Sequence, residues 1–549
     1  MAILVPACAL LATAALAQQV QPPPAPQITP SEGAAAVGLA RQAMIDYLRD
    51  RTPPAEVRIP DAAKNLLKKS YGASVTLRGG GAEIGLAIRR EGDLARNIIE
   101  AALAAMRSPR LPDVVTADYL GGLVVEVEVL GVPQKAQESN LARSINPGLT
   151  GVTAARGLDE FTMLPSVSCA ASLPAEEIVR QCLTALPLKA ESISLPVRWA
   201  VFASSHYVGY PDGKAIWLRQ GRTPLSPEMI DANSFFSAAE KVGLFLLRNQ
   251  DQEGQFALPA GRPRRADQLY ATYALARLSK ASARKELAAG LNAAMKWAIQ
   301  LAPARAEDAF AMVQGVSDQE QLSALSFLVL AVQEDPSKPG VGELCGKLLA
   351  TVDKALASQR AEGGGKPAGI KLPLKGLALS YLAASKAAPQ DANRLAGLRA
   401  LIASTPAADA EDICWLLRAG LPLAPDRPGG AALAPLPVPS GGPLDPAGGF
   451  APEGRLPETV VTALSAVNLA EGRNWPGLAL PKAPPAAQAA RREMVLAARR
   501  FCCLMQYRPL EPYFARDPGL WLGGIRAGPG GSAITLRACA AAIEAFLAE

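Results

Sequence analysis

Histidine, the side chain that most often moves protons near neutral pH, occurs once in the 549 residues, at His206. A His-rich zinc site, a Ser-His-Asp triad and a Cys-His dyad all require imidazole. His206 follows a short apolar run, and we expect it to be an ordinary strand or turn histidine. If the protein is an enzyme, we therefore expect carboxylates to be its catalytic groups. We predict neither a metal site nor a bound cofactor.

The acidic run Asp409-Ala410-Glu411-Asp412, followed by Trp415, resembles the Asp-x-Asp-Asp acid of class II terpene cyclases. A carboxylic acid that stays neutral in an apolar cavity could protonate an alkene. The third residue is Glu rather than Asp, and an aromatic content of 5% is low for a cavity that stabilises cations. The simpler interpretation places these acids in the first turn of a helix, at the positive end of its dipole.

Three other carboxylates, Asp251, Glu253 and Asp267, lie at the ends of predicted helices. They could act on a sugar at the mouth of a helical cavity, although exposed turn carboxylates are the simpler interpretation. The candidate catalytic residues are Asp251, Asp267, Glu411 and Asp412.

A different carboxylate pair lies in the segment 122–130, which reads GLVVEVEVL. Its alternation predicts a strand with three valines on one face and Glu126 and Glu128 on the other. We predict that the glutamate face is solvated rather than functional.

The elements around these residues divide the chain in two. Residues 36–228 mix helices, predicted at 36–51 and 93–105, with strands such as 74–78, which leads into a glycine turn. We therefore predict a mixed α/β domain for this half.

This half resembles the AMME chromosomal region gene 1 family over about 190 residues. The matching segments are 75–79, 101–112, 123–130, 151–153 with 163–167, and 176–183. The family's Arg-Gly-Cys-Ile-Gly turn corresponds to Gly81-Ala82-Glu83-Ile84-Gly85, which lacks the Arg and the Cys. The resemblance implies a mixed α/β fold, and it transfers no reaction.

Residues 231–549 are predicted to be all helical, with short polar or Gly/Pro joints that suit stacked helical hairpins. Phe245, Gln250 and Gly254 form a pattern that Phe501 and Gln506 repeat in part. It resembles the Gln-Trp motif of squalene-cyclase-type α/α toroids, in which the Gln caps helix-end groups. We predict an α/α toroid, with a simple solenoid as the alternative. Helices are predicted at 235–249, 266–279, 283–301, 318–333, 341–358, 373–386, 393–404, 410–417, 458–469, 486–507 and 532–547, and a Pro/Gly-rich loop at 422–454.

Residues 1–17 are apolar, contain no acidic residue and end in Ala15-Leu16-Ala17, which predicts a signal peptide cleaved near Ala17. A Pro-rich linker, 18–35, follows. Lipidation at Cys8 is the alternative, but Cys8 lies inside the apolar run. We expect a periplasmic or extracellular protein whose mature chain does not insert stably into a membrane.

The charge composition bears on which classes of binding partner the sequence favours. The net charge of +6 comes from 56 basic and 50 acidic residues that are interspersed, which does not favour nucleic-acid binding. The seven cysteines after the leader include no CxxC pair, and we expect buried thiols.

Two functions fit these features. The first is an exported, non-catalytic protein that binds a partner protein or an envelope polysaccharide. The alternative is a carboxylate-dependent carbohydrate-active or isoprenoid-modifying enzyme whose cavity lies in the toroid. Members of the resembling family are largely intracellular, so export would mark a repurposed domain.

Overall fold

Alternating apolar residues on neighbouring strands build the N-terminal sheet in the computed structural model. Eight strands pair antiparallel in the order β2-β1-β3-β7-β5-β6, with β4 and β8 also paired to β7. The strands are β1 (Gly72–Gly79), β2 (Ala82–Arg89), β3 (Val124–Leu130), β4 (Gln134–Ala136), β5 (Thr150–Arg156), β6 (Asp159–Met163), β7 (Arg198–Gly209) and β8 (Ala215–Leu218).

Among the residues that the structure describes, six α-helices accompany the sheet: α1 (Pro30–Asp50), α2 (Leu94–Ala105), α3 (Ala117–Gly121), α4 (Leu141–Ser144), α5 (Pro165–Ala170) and α6 (Ala175–Ala185). The apolar face of β1 and β3 packs against α1 and α2, and this core contains all three valines of β3 that were predicted to share a face. The mixed α/β prediction for this half is confirmed.

Local sequence explains where α1 and β2 lie. Thr29 accepts a hydrogen bond from the backbone of Glu32, whose side chain accepts from Thr29 N, so α1 begins at Pro30, earlier than predicted. In β2, a Cβ at Gly85 would lie 2.4 Å from the carbonyl oxygen of Ala105 in α2. The strand can approach α2 this closely only with glycine at that position.

The structure describes residues 23–51, 54–187, 194–225, 230–259, 261, 263–301, 320–334, 342–344, 346–347, 349–350, 353, 373–421, 433–435, 450–452, 458–473 and 484–548. The predicted signal peptide, the first part of the linker and Cys345 lie outside these residues. The chain divides into two compact units, Met1–Gly221 and Arg222–Glu549.

The second unit is rich in helices, as predicted. Its helices are α7 (Ala232–Arg248), α8 (Arg265–Ala281), α9 (Lys285–Gln300), α10 (Gln321–Gln333), α11 (Leu374–Ala387), α12 (Ala392–Ser404), α13 (Ala410–Arg418), α14 (Thr459–Ala470), α15 (Pro484–Met505) and α16 (Leu536–Leu547). Most of the predicted helix 341–358 and of the predicted loop 422–454 lies outside the described residues. Within that loop, β9 (Leu433–Pro435) and β10 (Phe450–Pro452) form an antiparallel pair.

Six of these helices have most of their residues buried, as expected for helices surrounded by other helices. They contact one another in the order α8, α10, α11, α13, α14 and α16, and α16 also contacts α8. The helices between them in sequence pack against this set: α9 against α8, α12 against α11, and α15 against α14.

Gln250 and Gln506 each bond to a glycine carbonyl in the segment that follows their own helix and to a carbonyl inside another helix. Gln250 Nε2 donates to the carbonyl oxygens of Gly254 and Gly290, at 3.0 Å each. Gln506 Nε2 donates to the carbonyl oxygens of Ala238 and Gly523. Gly254 has a φ of +97°, which favours glycine.

Candidate functional site

The face of the sheet opposite α1 and α2 carries polar side chains from three adjacent strands, and we call it the polar face. Cross-strand pairing places Ser74, Glu128 and His206 in one row of the sheet. Residues two positions apart in a strand share a face, which brings neighbouring rows to the same side. The polar face consists of Ser74, Thr76 and Arg78 in β1, Glu126 and Glu128 in β3, and Ser204 and His206 in β7.

The predicted solvation of this face is wrong. Glu126 and Glu128 are each only 2% exposed, and His206 is 7% exposed. Next to them, Leu130 clusters with Leu164 and Phe202, so apolar residues cover part of the same face. An alternating strand shows that its two faces differ, but it does not show that the polar one meets water.

Glu126 lies between the Arg78 guanidinium and the His206 imidazole. Its Oε2 is 2.9 Å from His206 Nε2, and its Oε1 accepts a hydrogen bond from Arg78 Nε. Burial alone would raise the pKa of Glu126, but the charge of Arg78 and the contact with His206 outweigh burial and lower it. Glu126 is therefore held ionised, and it orients the imidazole as the carboxylate of a catalytic dyad would.

Glu128 has hydroxyl rather than cationic partners. Ser204 Oγ donates to its Oε1 at 2.5 Å and Ser166 Oγ donates to its Oε2 at 2.6 Å. The backbone N–H of Ser166 lies 3.4 Å from the first oxygen. Among the described residues Glu128 forms no ion pair. Hydrogen bonds rather than an opposite charge thus stabilise this buried carboxylate.

Sequence reasoning treated His206 as an ordinary strand histidine and missed this constellation. His206 does lie in a strand, but it is buried beside a carboxylate. The available signal was the alternation at 74–78, with polar residues at every second position, together with that of β3. Only the register between the strands, however, brings Glu126 and His206 together across 80 residues of sequence.

In the helical unit, two of the four predicted candidates come together at the first turns of their helices. Arg537 Nε donates to Asp267 Oδ1 at 2.9 Å, and its Nη1 donates to Glu411 Oε2 at 3.0 Å. Lys375 Nζ lies 2.6 Å from Glu411 Oε1. Burial would raise the pKa of Glu411, but Lys375 and Arg537 outweigh it and lower that pKa.

Asp412 lies beside this network and Asp409 caps its helix. Asp409 Oδ1 accepts from the backbone of Asp412, and the first-turn position predicted for these acids is confirmed. The carboxylate of Asp412 accepts from the backbone N–H groups of Lys375 and Ala408. Burial raises the pKa of Asp412 despite these bonds.

Asp251 does not join the other candidates. It is exposed, and its Oδ1 accepts from the backbone N–H groups of Glu253 and Gln255 at 3.0 and 2.8 Å. This is a turn-stabilising role of the kind that Asp side chains often have.

A second charged network joins the last turns of three helices. Glu544, which is fully buried, accepts from Arg277 Nη1 at 2.9 Å and from Arg418 Nη2 at 2.8 Å. Tyr270 Oη donates to it at 2.9 Å, and Arg418 also pairs with Glu471. Burial would raise the pKa of Glu544, but the two arginines outweigh it and lower that pKa.

Aromatic rings lie among these helices. Tyr270 stacks on Phe327 with centroids 4.5 Å apart, and Trp415 meets both rings edge-on at 5.5 and 5.4 Å. All three side chains are at most 1% exposed. They contact one another rather than line an open surface.

The sequence also made predictions about cysteines, metal ligands and membrane insertion. Six cysteines in the described part are buried, as expected: Cys169, Cys182, Cys414, Cys502, Cys503 and Cys539. Within the described ranges, no group of three or more His, Cys, Asp or Glu side chains could hold a metal ion. None of the helices that the structure describes is long and apolar enough to cross a bilayer.

The antiparallel sheet with helices on its apolar face defines the first unit as a mixed α/β domain. Comparison with known families identifies this α/β domain: residues 37–207 match the AMMECR1 family and form an AMMECR1 domain. This confirms the resemblance inferred from the sequence for that half.

A search of solved structures finds similarity between part of this chain and the uncharacterized protein PH0010 from Pyrococcus horikoshii, at 24% identity and a TM-score of 0.30. The similarity covers 35% of this chain and 98% of that protein. No curated protein matches the chain.

Proposed function

We propose that this chain is an exported, non-catalytic binding protein that joins an AMMECR1 domain to an α/α toroid. The toroid serves as a rigid recognition scaffold for a partner protein or an envelope polysaccharide. The apolar leader supports export, and the paired state of the helical carboxylates supports binding rather than catalysis.

The order of helix contacts supports a toroid. Six buried helices contact one another in sequence order, and the last also contacts the first. Arg537 in the first turn of α16 pairs with Asp267 and Glu411, which lie in the first turns of α8 and α13. At the other end, Arg418 in the last turn of α13 pairs with Glu544 in the last turn of α16. The helices α8, α13 and α16 therefore run in the same direction, as the inner helices of an α/α toroid do.

The observation that carries the non-catalytic proposal is the position of Glu411 between Lys375 and Arg537. An acid that protonates an alkene must be neutral and must face the substrate. Glu411 is instead kept ionised by two cations, and the nearby Trp415 donates to the same carboxylate at 3.2 Å. The side chains of Tyr270, Phe327 and Trp415 are buried against one another, so they offer no open aromatic surface to a substrate.

One observation favours the alternative, a carbohydrate-active or isoprenoid-modifying enzyme. Burial raises the pKa of Asp412, which is the direction that a general acid requires. Against it, both of its oxygens already accept backbone hydrogen bonds, at 2.9 and 2.8 Å, as the helix-start geometry demands.

The purified protein can decide between these functions. It would be incubated with squalene, polyprenyl diphosphates and envelope oligosaccharides, with products followed by mass spectrometry and binding by calorimetry. We expect saturable binding to an envelope fraction, either polysaccharide or protein, without turnover. Turnover that is lost in Asp412→Asn and kept in the matched surface variant Asp251→Asn would replace the binding proposal with the enzyme.

A further inference from the structure

The polar face of the AMMECR1 domain contains one polar atom without a partner. Ser74 Oγ is buried, in a residue that is 1% exposed, and it forms no hydrogen bond. Ser74 lies directly opposite Glu128 in the antiparallel pairing of β1 and β3, so the two side chains share a face. A buried hydroxyl without a partner destabilises the folded state, and a ligand that bonds to it would recover part of this loss.

The charges of the same face are unequal. Glu126 is paired with Arg78 and contacts His206. Glu128 has no cationic partner among the described residues, only the hydroxyl groups of Ser166 and Ser204 and one backbone N–H. Arg78 is the one arginine of the polar face and pairs with Glu126, and Arg90, which stacks on Phe202 at 4.8 Å, donates to Thr153 rather than to Glu128.

We propose that the row formed by Ser74, Glu128 and His206 is a binding site for a primary ammonium group. The ammonium group supplies three N–H donors and one positive charge. Glu128 accepts one donor and gains a counter-charge, and the oxygen of Ser74 accepts a second. This site is independent of the helical scaffold, and it assigns a ligand class to the AMMECR1 domain.

Other ligand classes fit less well. A metal ion would need several oxygen or nitrogen ligands at once, and no such group exists among the described residues. An anion would face two carboxylates. A neutral polyol could bond to Ser74 but would leave the charge of Glu128 without a partner. Ser204, two residues before His206 on the same face of β7, is half-buried and bonds to Glu128, so solvent reaches the polar face beside the row.

The test uses the full chain and isothermal titration calorimetry. Methylammonium chloride is compared with potassium chloride, tetramethylammonium chloride and glycerol at matched ionic strength. We expect saturable heat with methylammonium alone, because only this probe combines charge with N–H donors. Equal responses to methylammonium and potassium, or binding of glycerol alone, would overturn the proposal.

Variants locate the site. Glu128→Gln removes the charge in a nearly isosteric side chain and should weaken methylammonium binding at least tenfold. Glu100→Gln, the same change at an exposed position of α2, should leave it unchanged. If Glu128→Gln does not fold, Ser74→Ala decides, because this change removes only the hydroxyl group without a partner. Methylammonium binding that is unchanged in Ser74→Ala, or in a folded Glu128→Gln, would refute the assignment.

The source of the ammonium group can then be distinguished. Glucosamine represents an amino sugar and phosphoethanolamine represents a lipid headgroup, with N-acetylglucosamine as the control that lacks the amine. Preference for either amine over the acetylated control identifies the source. Binding of N-acetylglucosamine as tight as that of glucosamine would count against ammonium recognition.

Discussion

Replacing Glu544 with glutamine removes the charge at the centre of the network that joins α8, α13 and α16. Glu544 is fully buried, and the side chain of its partner Arg418 is 7% exposed. Breaking a buried ion pair by removing one partner costs about 3–5 kcal/mol, because the other charge stays desolvated. Arg418 keeps Glu471, and Arg277 can reach water, so we expect about 3 kcal/mol of destabilisation.

Hydrogen exchange followed by mass spectrometry is the appropriate assay, because the chain has two units and its unfolding need not be two-state. A loss of about 3 kcal/mol corresponds to exchange roughly 150-fold faster in peptides from α8 and α16. The matched control is Glu320→Gln, whose partner Arg264 is 70% exposed and whose ion pair should contribute under about 1 kcal/mol. If Glu544→Gln speeds exchange no more than this control, the network is not a source of stability.

The same carboxylate gives a pH dependence. Because the arginines lower the pKa of Glu544 in the folded state, its contribution is complete above the unfolded pKa of about 4.3. The contribution is lost as the pH falls toward the lower folded pKa. Glu544→Gln should therefore lose less of its remaining stability than the wild-type protein does between neutral and acidic pH, by the same exchange measurement.

Three other predictions concern packing, thiols and export. Gly33→Ala would place a Cβ 1.8 Å from the Tyr207 ring and should lower the free energy of unfolding by about 1–3 kcal/mol. Gly38→Ala, on the open side of α1, should raise the free energy of unfolding by up to about 1 kcal/mol. Thermal unfolding would compare them, and equal effects would contradict the packing. Burial raises the pKa of Cys503 to about 12, so this thiol should stay unreactive toward a disulfide reagent until the protein unfolds. N-terminal sequencing of the mature protein should begin at or near Gln18; an intact leader in the envelope fraction would contradict cleavage.

Periodicity predicted most of the helices and strands because each depends on neighbours within a few residues. The strand at β3 and the helix start at Asp409–Asp412 were predicted in this way, whereas the start of α1 at Pro30, which the Thr29 cap sets, was missed. The contact between Gln250 and Gly254 is local as well, whereas Gln506 bonds to Gly523, 17 residues further along the chain.

The functional groups were less predictable because their partners are distant in sequence. Arg418 and Glu544 are 126 residues apart, as are Glu411 and Arg537. Whether a carboxylate is solvated, paired or buried without a cation depends on such partners. For that reason Glu128 was predicted to be solvated and is instead buried.

The adjacent residues Glu411 and Asp412 show why the acidic motif could not be interpreted alone. Successive helix positions point about 100° apart, so the two carboxylates enter different surroundings. Lys375 and Arg537 lower the pKa of Glu411, while burial raises the pKa of Asp412 beside it. A sequence pattern records that acids are present at a helix start. The cations and backbone groups around Glu411 and Asp412 determine which of these two acids could donate a proton. Of the two, Asp412 is the residue at which the enzyme alternative can be tested.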